Sequence, residues 1–383
     1  MKNFMTPREN LLAVLKHKEP EWIPCAPHIA NLNNIPGQLP VYLLKEPIDR
    51  LAISRYLGGD LLYEIGGSKT IYGDQVIIRN VRHEDLVQTE YETPLGRLTG
   101  KNKEVIVPTP RYPGTPPDLS YPPDMSIGTD IEHVIKEPGD YNILEYVCRN
   151  TKFEFDSNEI DRNMALVGDG GAAVLSGPSS PFYGLVSHSA GLERTVYDLM
   201  DHAGEVESLM DVMAEKNYEW YEKAARTNIE VMRCTEDLDT NLVSPLLFRK
   251  YSVPVLTKYA QICHAHGKIL MLHMCGHIRE FLPLIKETGV DAIHCLCPPQ
   301  TGNTPLKLAK EIFGREIAIM ARVDPPVLLS KTPAEISKTV QEMLREVIPG
   351  DNFMVILPCG RAPLNNLKAV IDTVREYGRY PLR

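Results

Sequence analysis

Lys268-Ile-Leu-Met-Leu-His273-Met-Cys275-Gly276-His277, followed one helix later by Asp291-Ala-Ile-His-Cys295-Leu-Cys297, is the stretch from which the fold can be read. Each apolar run is short and continuous. That pattern suits a parallel strand covered on both faces rather than a half-solvated antiparallel one. The pattern extends in both directions. Asn228-Ile-Glu-Val-Met-Arg-Cys234 precedes a helix over 245–266, and the strand 268–273 precedes a helix over 277–288. The strand 291–295 precedes a helix over 304–313, Ile317-Ala-Ile-Met-Ala-Arg322 a helix over 333–347, and Phe353-Met-Val-Ile-Leu357 a helix over 364–378. Thr332-Pro333-Ala334-Glu335 and Thr6-Pro7-Arg8-Glu9 are capping boxes with proline at the first helical position, and Ser244-Pro245 is a simpler cap. Gly267, Gly289, Gly314 and Gly350 follow helices, where a left-handed residue ends the last turn.

Upstream, Ile23-Pro-Cys-Ala-Pro-His28, Asp60-Leu-Leu-Tyr-Glu64 and Asn163-Met-Ala-Leu-Val167 supply three further strand candidates, which brings the total to eight. The expectation is an α/β chain folded as a (β/α)8 TIM barrel, one domain over 1–383. A doubly wound sheet is the alternative, but no Gly-rich phosphate turn follows a first strand. An insertion interrupts the alternation over about 71–162. Residues 76–99 read as antiparallel hairpin strands turning at Thr93-Pro94-Leu95-Gly96. The seven prolines between Pro108 and Pro123 exclude helix or central strand there.

Composition narrows the function. The formal net charge of −9 argues against nucleic acid or an anionic membrane as the main partner. The N-terminus has no signal-peptide core and no apolar run is long enough to span a bilayer, so a cytoplasmic location is expected. Eight cysteines among 383 residues do not make a disulfide framework. Cys25, Cys148 and Cys263 read as small hydrophobes, whereas Cys275, Cys295, Cys297 and Cys359 crowd into one third of the chain and point to metal or thiol chemistry in a reducing compartment.

A barrel of this kind carries its active site at the C-terminal ends of its strands. Glu236 and Asp237, His273 and Cys275, Cys295 and Cys297, Arg322 and Asp324, and Cys359 all fall at such ends. His273 and Cys275, two apart, project to one side of their strand, and with Cys359 they make a three-ligand zinc site with an open fourth position. Cys295 and Cys297 share the two-residue spacing and are rival ligands, although Pro298-Pro299 points to a rigid loop lining the pocket. Asp237 and Glu236 are acid/base candidates beside the metal, a solvated cap being the plain alternative for Glu236. Candidate substrate-binding groups are His28, Asn34, Asp169, His277, Cys297 and Arg322. For His277 a cap or a donor behind the ligands is the alternative, and for Asp169-Gly170-Gly171 a structural turn.

These residues carry a resemblance. Thr6-Pro7-Arg8-Glu9-Asn-Leu-Leu-Ala-Val-Leu15 with Trp22-Ile-Pro24, Asp237, Ser244-Pro245, His273-Met-Cys275-Gly276, Gly289-Val-Asp291, Cys359-Gly360, Pro363-Leu-Asn-Asn-Leu367 and Tyr377-Gly378-Arg379-Tyr380-Pro381 resemble the uroporphyrinogen decarboxylase superfamily. Within it they are most similar to the zinc-dependent, corrinoid-linked methyltransferases. In that branch the pattern His-x-Cys…Cys supplies zinc, which carries over to His273, Cys275 and Cys359. The resemblance implies a corrinoid (cobalamin) carried by a partner protein, since no Asp-x-His-x-x-Gly cobalamin motif is present. It also implies a small-molecule methyl donor or thiol acceptor, and it is compatible with a homodimer. Decarboxylation is disfavoured: Cys25-Ala-Pro-His28-Ile-Ala-Asn-Leu-Asn-Asn34 has no arginine where the decarboxylases hold their carboxylates, and they need no metal. Two roles are left. In one, zinc activates the oxygen of a methyl ether, such as a methoxylated aromatic, for transfer to Co(I). In the other, zinc activates a coenzyme M-like thiol that takes the methyl from methyl–cobalt. The insertion, together with the similarity of Cys295-Leu-Cys297-Pro-Pro299-Gln-Thr-Gly302 to a loop of O-demethylating members, favours the ether. A non-catalytic zinc or corrinoid-protein binding module is the remaining reading, which a fourth protein ligand such as Cys297 would support.

Overall fold

The computed structural model describes residues 4–28, 50–107, 125–299, 301–358 and 362–380. Asn34, the proline-rich stretch 108–123 and Cys359 lie outside the described residues, as does the side chain of His28. Eight parallel strands form the barrel: β1 (Cys25–His28), β2 (Leu61–Ile65), β3 (Gly171–Gly177), β4 (Val231–Thr235), β5 (Ile269–His273), β6 (Ala292–Leu296), β7 (Ala318–Arg322) and β8 (Phe353–Pro358). The ladder runs β1-β8-β7-β6-β5-β4-β3-β2. Asp60 bridges the remaining seam. Its N–H donates to the Cys25 carbonyl at 2.8 Å, and its carboxylate accepts the Cys25 N–H at 2.8 Å.

One barrel strand is not where the sequence pattern places it. Residues 163–167 end a helix, Ser157–Val167, and the strand is Gly171–Gly177. Asp156 starts that helix by accepting the Glu159 N–H at 3.0 Å, and Ile160, Met164 and Val167 recur at helical spacing toward the core. The true strand opens on small residues, Gly171-Ala-Ala, which masked it. They are needed there: a Cβ on Gly171 would sit 1.9 Å from the Leu61 carbonyl oxygen, so only glycine lets β3 pair this closely with β2. The helix expected over 245–266 is also interrupted. It runs as Pro245–Leu247, a π-turn over Phe248–Ser252, and Val253–Ala265. Pro254 has no amide to donate to the preceding turn, and the wider turn absorbs that loss.

Alternation along the strands divides the core in two. Outward residues such as Leu270, Leu272 and Ile293 pack under the surrounding helices. Inward residues including Met271, Met320 and Met354 fill the barrel and meet Leu11, Leu12, Val14 and Leu15 of the N-terminal helix α1 (Pro7–Leu15). Fully burying one such side chain is worth about 1.5–3 kcal/mol. α1 is held in place by its Thr6–Glu9 capping box and by Arg8, which ion-pairs with Glu230 and donates to the Gly171 carbonyl. The N-terminal end of the barrel is thus plugged, and the chemistry has the C-terminal end.

The insertion forms its own small sheets. Ser68–Tyr72 pairs antiparallel with Thr151–Phe155, and Ile77–His83, Leu86–Thr93, Gly96–Val107 and Met125–Glu132 form a four-stranded meander. Thr93 pairs with Gly96 across the expected two-residue turn. No described helix is long and apolar enough to cross a membrane.

Candidate functional site

β4, β5, β6 and β7 deliver the site. His273 ends β5 with its Nδ1 2.6 Å from Nδ1 of His294 on β6, so one of these nitrogens carries the proton and fixes the ring. Its Nε2 is turned toward the Cys275 sulfur at 3.5 Å and the Asp237 Oδ2 at 3.4 Å. The Cys295 sulfur joins them: one donor atom each from His273, Cys275 and Cys295 lies within 4.8 Å of the other two. In a tetrahedral zinc site, bond lengths of about 2.0 Å to nitrogen and 2.3 Å to sulfur put neighbouring donors about 3.5–3.8 Å apart. The separation of His273 and Cys275 meets that requirement, and imidazole with thiolate is the donor chemistry zinc takes. The residues present fit the metal.

The loop after β5 is held by carboxylates from the loop after β4. Asp237 accepts the Cys275 N–H at 2.9 Å through Oδ1. Asp239 accepts the His277 N–H at 2.6 Å and lies 3.2 Å from the His277 ring, whose Nδ1 is also 2.7 Å from Asn241 Nδ2. His277 is therefore tied to the loop after β4. Gly276 has φ +81°, and a Cβ there would sit 2.4 Å from Asp239 Oδ2, so this turn requires glycine.

Cys297 is buried behind Cys275. Its sulfur accepts the Gly276 N–H at 3.4 Å and lies 3.2 Å from the Cys295 carbonyl oxygen. Hydrogen bonds from the Cys275 and Cys295 thiols hold Cys297 below its ordinary value. Cys275, hydrogen-bonded to Cys295 and Cys297, is pushed up. The Arg322 guanidinium is the positive charge facing these sulfurs. Arg322 ends β7 with Nη1 4.0 Å from the Cys295 sulfur, donates from Nη2 to Thr301 Oγ1 at 2.6 Å, and contacts Asp324 at 3.3 Å.

Glu236 is not in the mouth. Its side chain is wholly buried in the helix layer, where the carboxylate accepts the Ser180 N–H at 3.0 Å and the Ser180 hydroxyl at 2.5 Å. Ser252, from the π-turn, also hydrogen-bonds to it. Burial pushes its carboxyl up to about 7. The acid/base expectation for Glu236 is corrected on this geometry: adjacent residues of an extended segment point to opposite faces, and only Asp237 faces the metal-binding group. Asp169 is corrected too. It lies in a short turn, Gly168–Gly170, before the first residue of β3, at the barrel end opposite His273. His28 ends β1 beside Pro358, so its backbone is at the mouth. Sequence reasoning missed His294, Asp239, Ser180 and Thr301. The adjacency of His294 to Cys295, and the run Glu236-Asp-Leu-Asp239, were the available signals.

The family model described as uroporphyrinogen decarboxylase (URO-D) matches residues 134–377. A methylated-thiol–coenzyme M methyltransferase of Methanosarcina mazei is 24% identical over 140 residues, 36% of this chain and 35% of that protein, so the match spans about a third of the relative's length. The solved structure of a methyltransferase from Methanosarcina mazei shares the fold, with a TM-score of 0.59 and 14% identity over 97% of this chain and 99% of the other.

Proposed function

Because the chain belongs to the uroporphyrinogen decarboxylase family, we propose that it is a zinc-dependent methyltransferase that moves a methyl group from a methyl ether to the corrinoid of a partner protein. The observation that carries this reading is the convergence of His273, Cys275 and Asp237 at the C-terminal end of a barrel whose N-terminal end is plugged. His273 and Cys275 would hold the metal, with Cys359, the third expected ligand, outside the described residues. Zinc, when bound, supplies Lewis acidity toward a heteroatom of the substrate or lowers the pKa of a bound thiol. His294 keeps the His273 ring oriented through Nδ1. Asp237 presents Oδ2 to the same volume and is the group placed to hand a proton to a departing oxygen. Arg322 supplies positive charge beside the sulfurs, and Cys297 lines the wall below them.

A second reading, in which a thiol of the coenzyme M class accepts the methyl, is favoured by two observations. The relative from Methanosarcina mazei is named for that reaction. A sulfur-rich donor set gives charge to the metal, which suits holding a nucleophilic thiolate better than polarising a neutral ether. The test mixes the zinc-loaded protein with a Co(I) corrinoid protein and a methoxylated aromatic. Appearance of the methyl–cobalt absorption supports the ether reading. Its absence, with ready demethylation of methylcobalamin by a small thiol, assigns the thiol reading instead.

A further inference from the structure

The geometry points to Cys295 as a direct metal donor of this chain, presented by a bulge in β6 that turns two consecutive residues into the barrel. The inference rests on the metal-site reading but not on methyl transfer; it makes Cys295 the third donor beside His273 and Cys275, as the rival to Cys359, and leaves the fourth position open. In a regular strand, inward and outward residues alternate. β6 breaks the alternation: His294 pairs with Met320, the next paired residue is Leu296 with Ala321, and Cys295 is the extra residue between them. The outward positions record the same event. Ile293 and Leu296 both pack in the outer core, three residues apart instead of two. His294 and Cys295 therefore both face inward, His294 against the His273 ring and Cys295 within reach of His273 and Cys275.

Cys295 has φ +69°, a left-handed conformation that a residue with a Cβ adopts at a cost and glycine adopts freely. Bulges of this kind re-aim side chains beside functional sites. A buried cysteine needed only for packing has no reason to sit in that conformation, whereas a sulfur needed at the metal does. One strand thereby delivers both the imidazole that orients His273 and a thiolate. Cys297 is already engaged: its sulfur accepts the Gly276 N–H at 3.4 Å and lies 3.2 Å from the Cys295 carbonyl oxygen, and it is not one of the three donors that come within 4.8 Å of one another.

The test is metal binding by the purified full chain with Co2+ as the probe, read from the thiolate-to-cobalt charge-transfer absorption and the dissociation constant. Cys295→Ser and Cys295→Gly are each expected to lose one thiolate's share of the absorption and to weaken binding about ten-fold or more. Cys297→Ser should keep both. Cys295→Gly relieves the backbone, so its metal-free form should melt no lower than the parent. A folded Cys295→Gly protein with the parent's absorption and affinity overturns the assignment while leaving the metal site intact. Failure of the parent itself to bind Co2+ overturns the assignment together with the metal site.

Discussion

Asp237 and His273 face each other across the mouth of the barrel, with Oδ2 3.4 Å from Nε2, while the other oxygen of the same carboxylate holds the Cys275 amide at 2.9 Å. Asp237 thus does two jobs, positioning the ligand loop and presenting its second oxygen where the reacting group binds. Asp237→Asn keeps an acceptor for the Cys275 N–H and loses the proton-transfer group. The expected result is a fall in turnover of roughly 10²–10⁴-fold with metal content retained. Steady-state kinetics and metal analysis on the same sample check it. A loss of metal in step with activity would reduce Asp237 to a structural role.

Glu236 predicts a pH dependence of stability. Burial raises its carboxyl from 4.5 to about 7 in the folded chain, so between these values the folded state holds a proton that the unfolded state has released. Stability from this group is fully present below about pH 4.5 and is lost as pH rises through about 7, a difference on the order of 3 kcal/mol. Glu236→Gln keeps the neutral shape. It should flatten that decline and leave the protein more stable than the parent at pH 8. Denaturant titrations at pH 5 and pH 8 measure it.

Gly276→Ala should be damaging out of proportion to its size. The added Cβ meets Asp239 Oδ2 at 2.4 Å in a backbone of φ +81°. A cost of about 1–3 kcal/mol is expected, with loss of the His277–Asp239 hydrogen bond and weaker metal retention. Urea unfolding with and without added zinc separates the two effects.

Thr332→Ala, far from the mouth, is the control. Thr332 and Glu335 form a complete capping box at the start of the helix Pro333–Glu346. Its removal should cost about 1 kcal/mol of stability and leave turnover unchanged. Parallel melting and rate measurements would show the two properties moving independently.

Much of this was legible in the chain itself because local chemistry suffices for it. Continuous apolar runs, proline-headed capping boxes and glycines at helix ends specify elements through contacts a few residues long. Five strands and their helices over 228–383, both capping boxes and the hairpin turn at Thr93–Gly96 follow from such contacts. So does the pairing of His273 with Cys275, since two-residue spacing needs only a strand end. Tertiary structure decided the rest. The third strand is Gly171–Gly177 rather than 163–167 because close packing against Leu61 selects glycine, a reason invisible in a propensity pattern. Glu236 and Asp237, adjacent carboxylates in the sequence, part company because one points into the helix layer toward Ser180 and the other into the mouth. Cys295 reaches His273 and Cys275 only because β6 bulges at that residue, and a change of strand register is settled by packing between neighbouring strands, not by the residues of one.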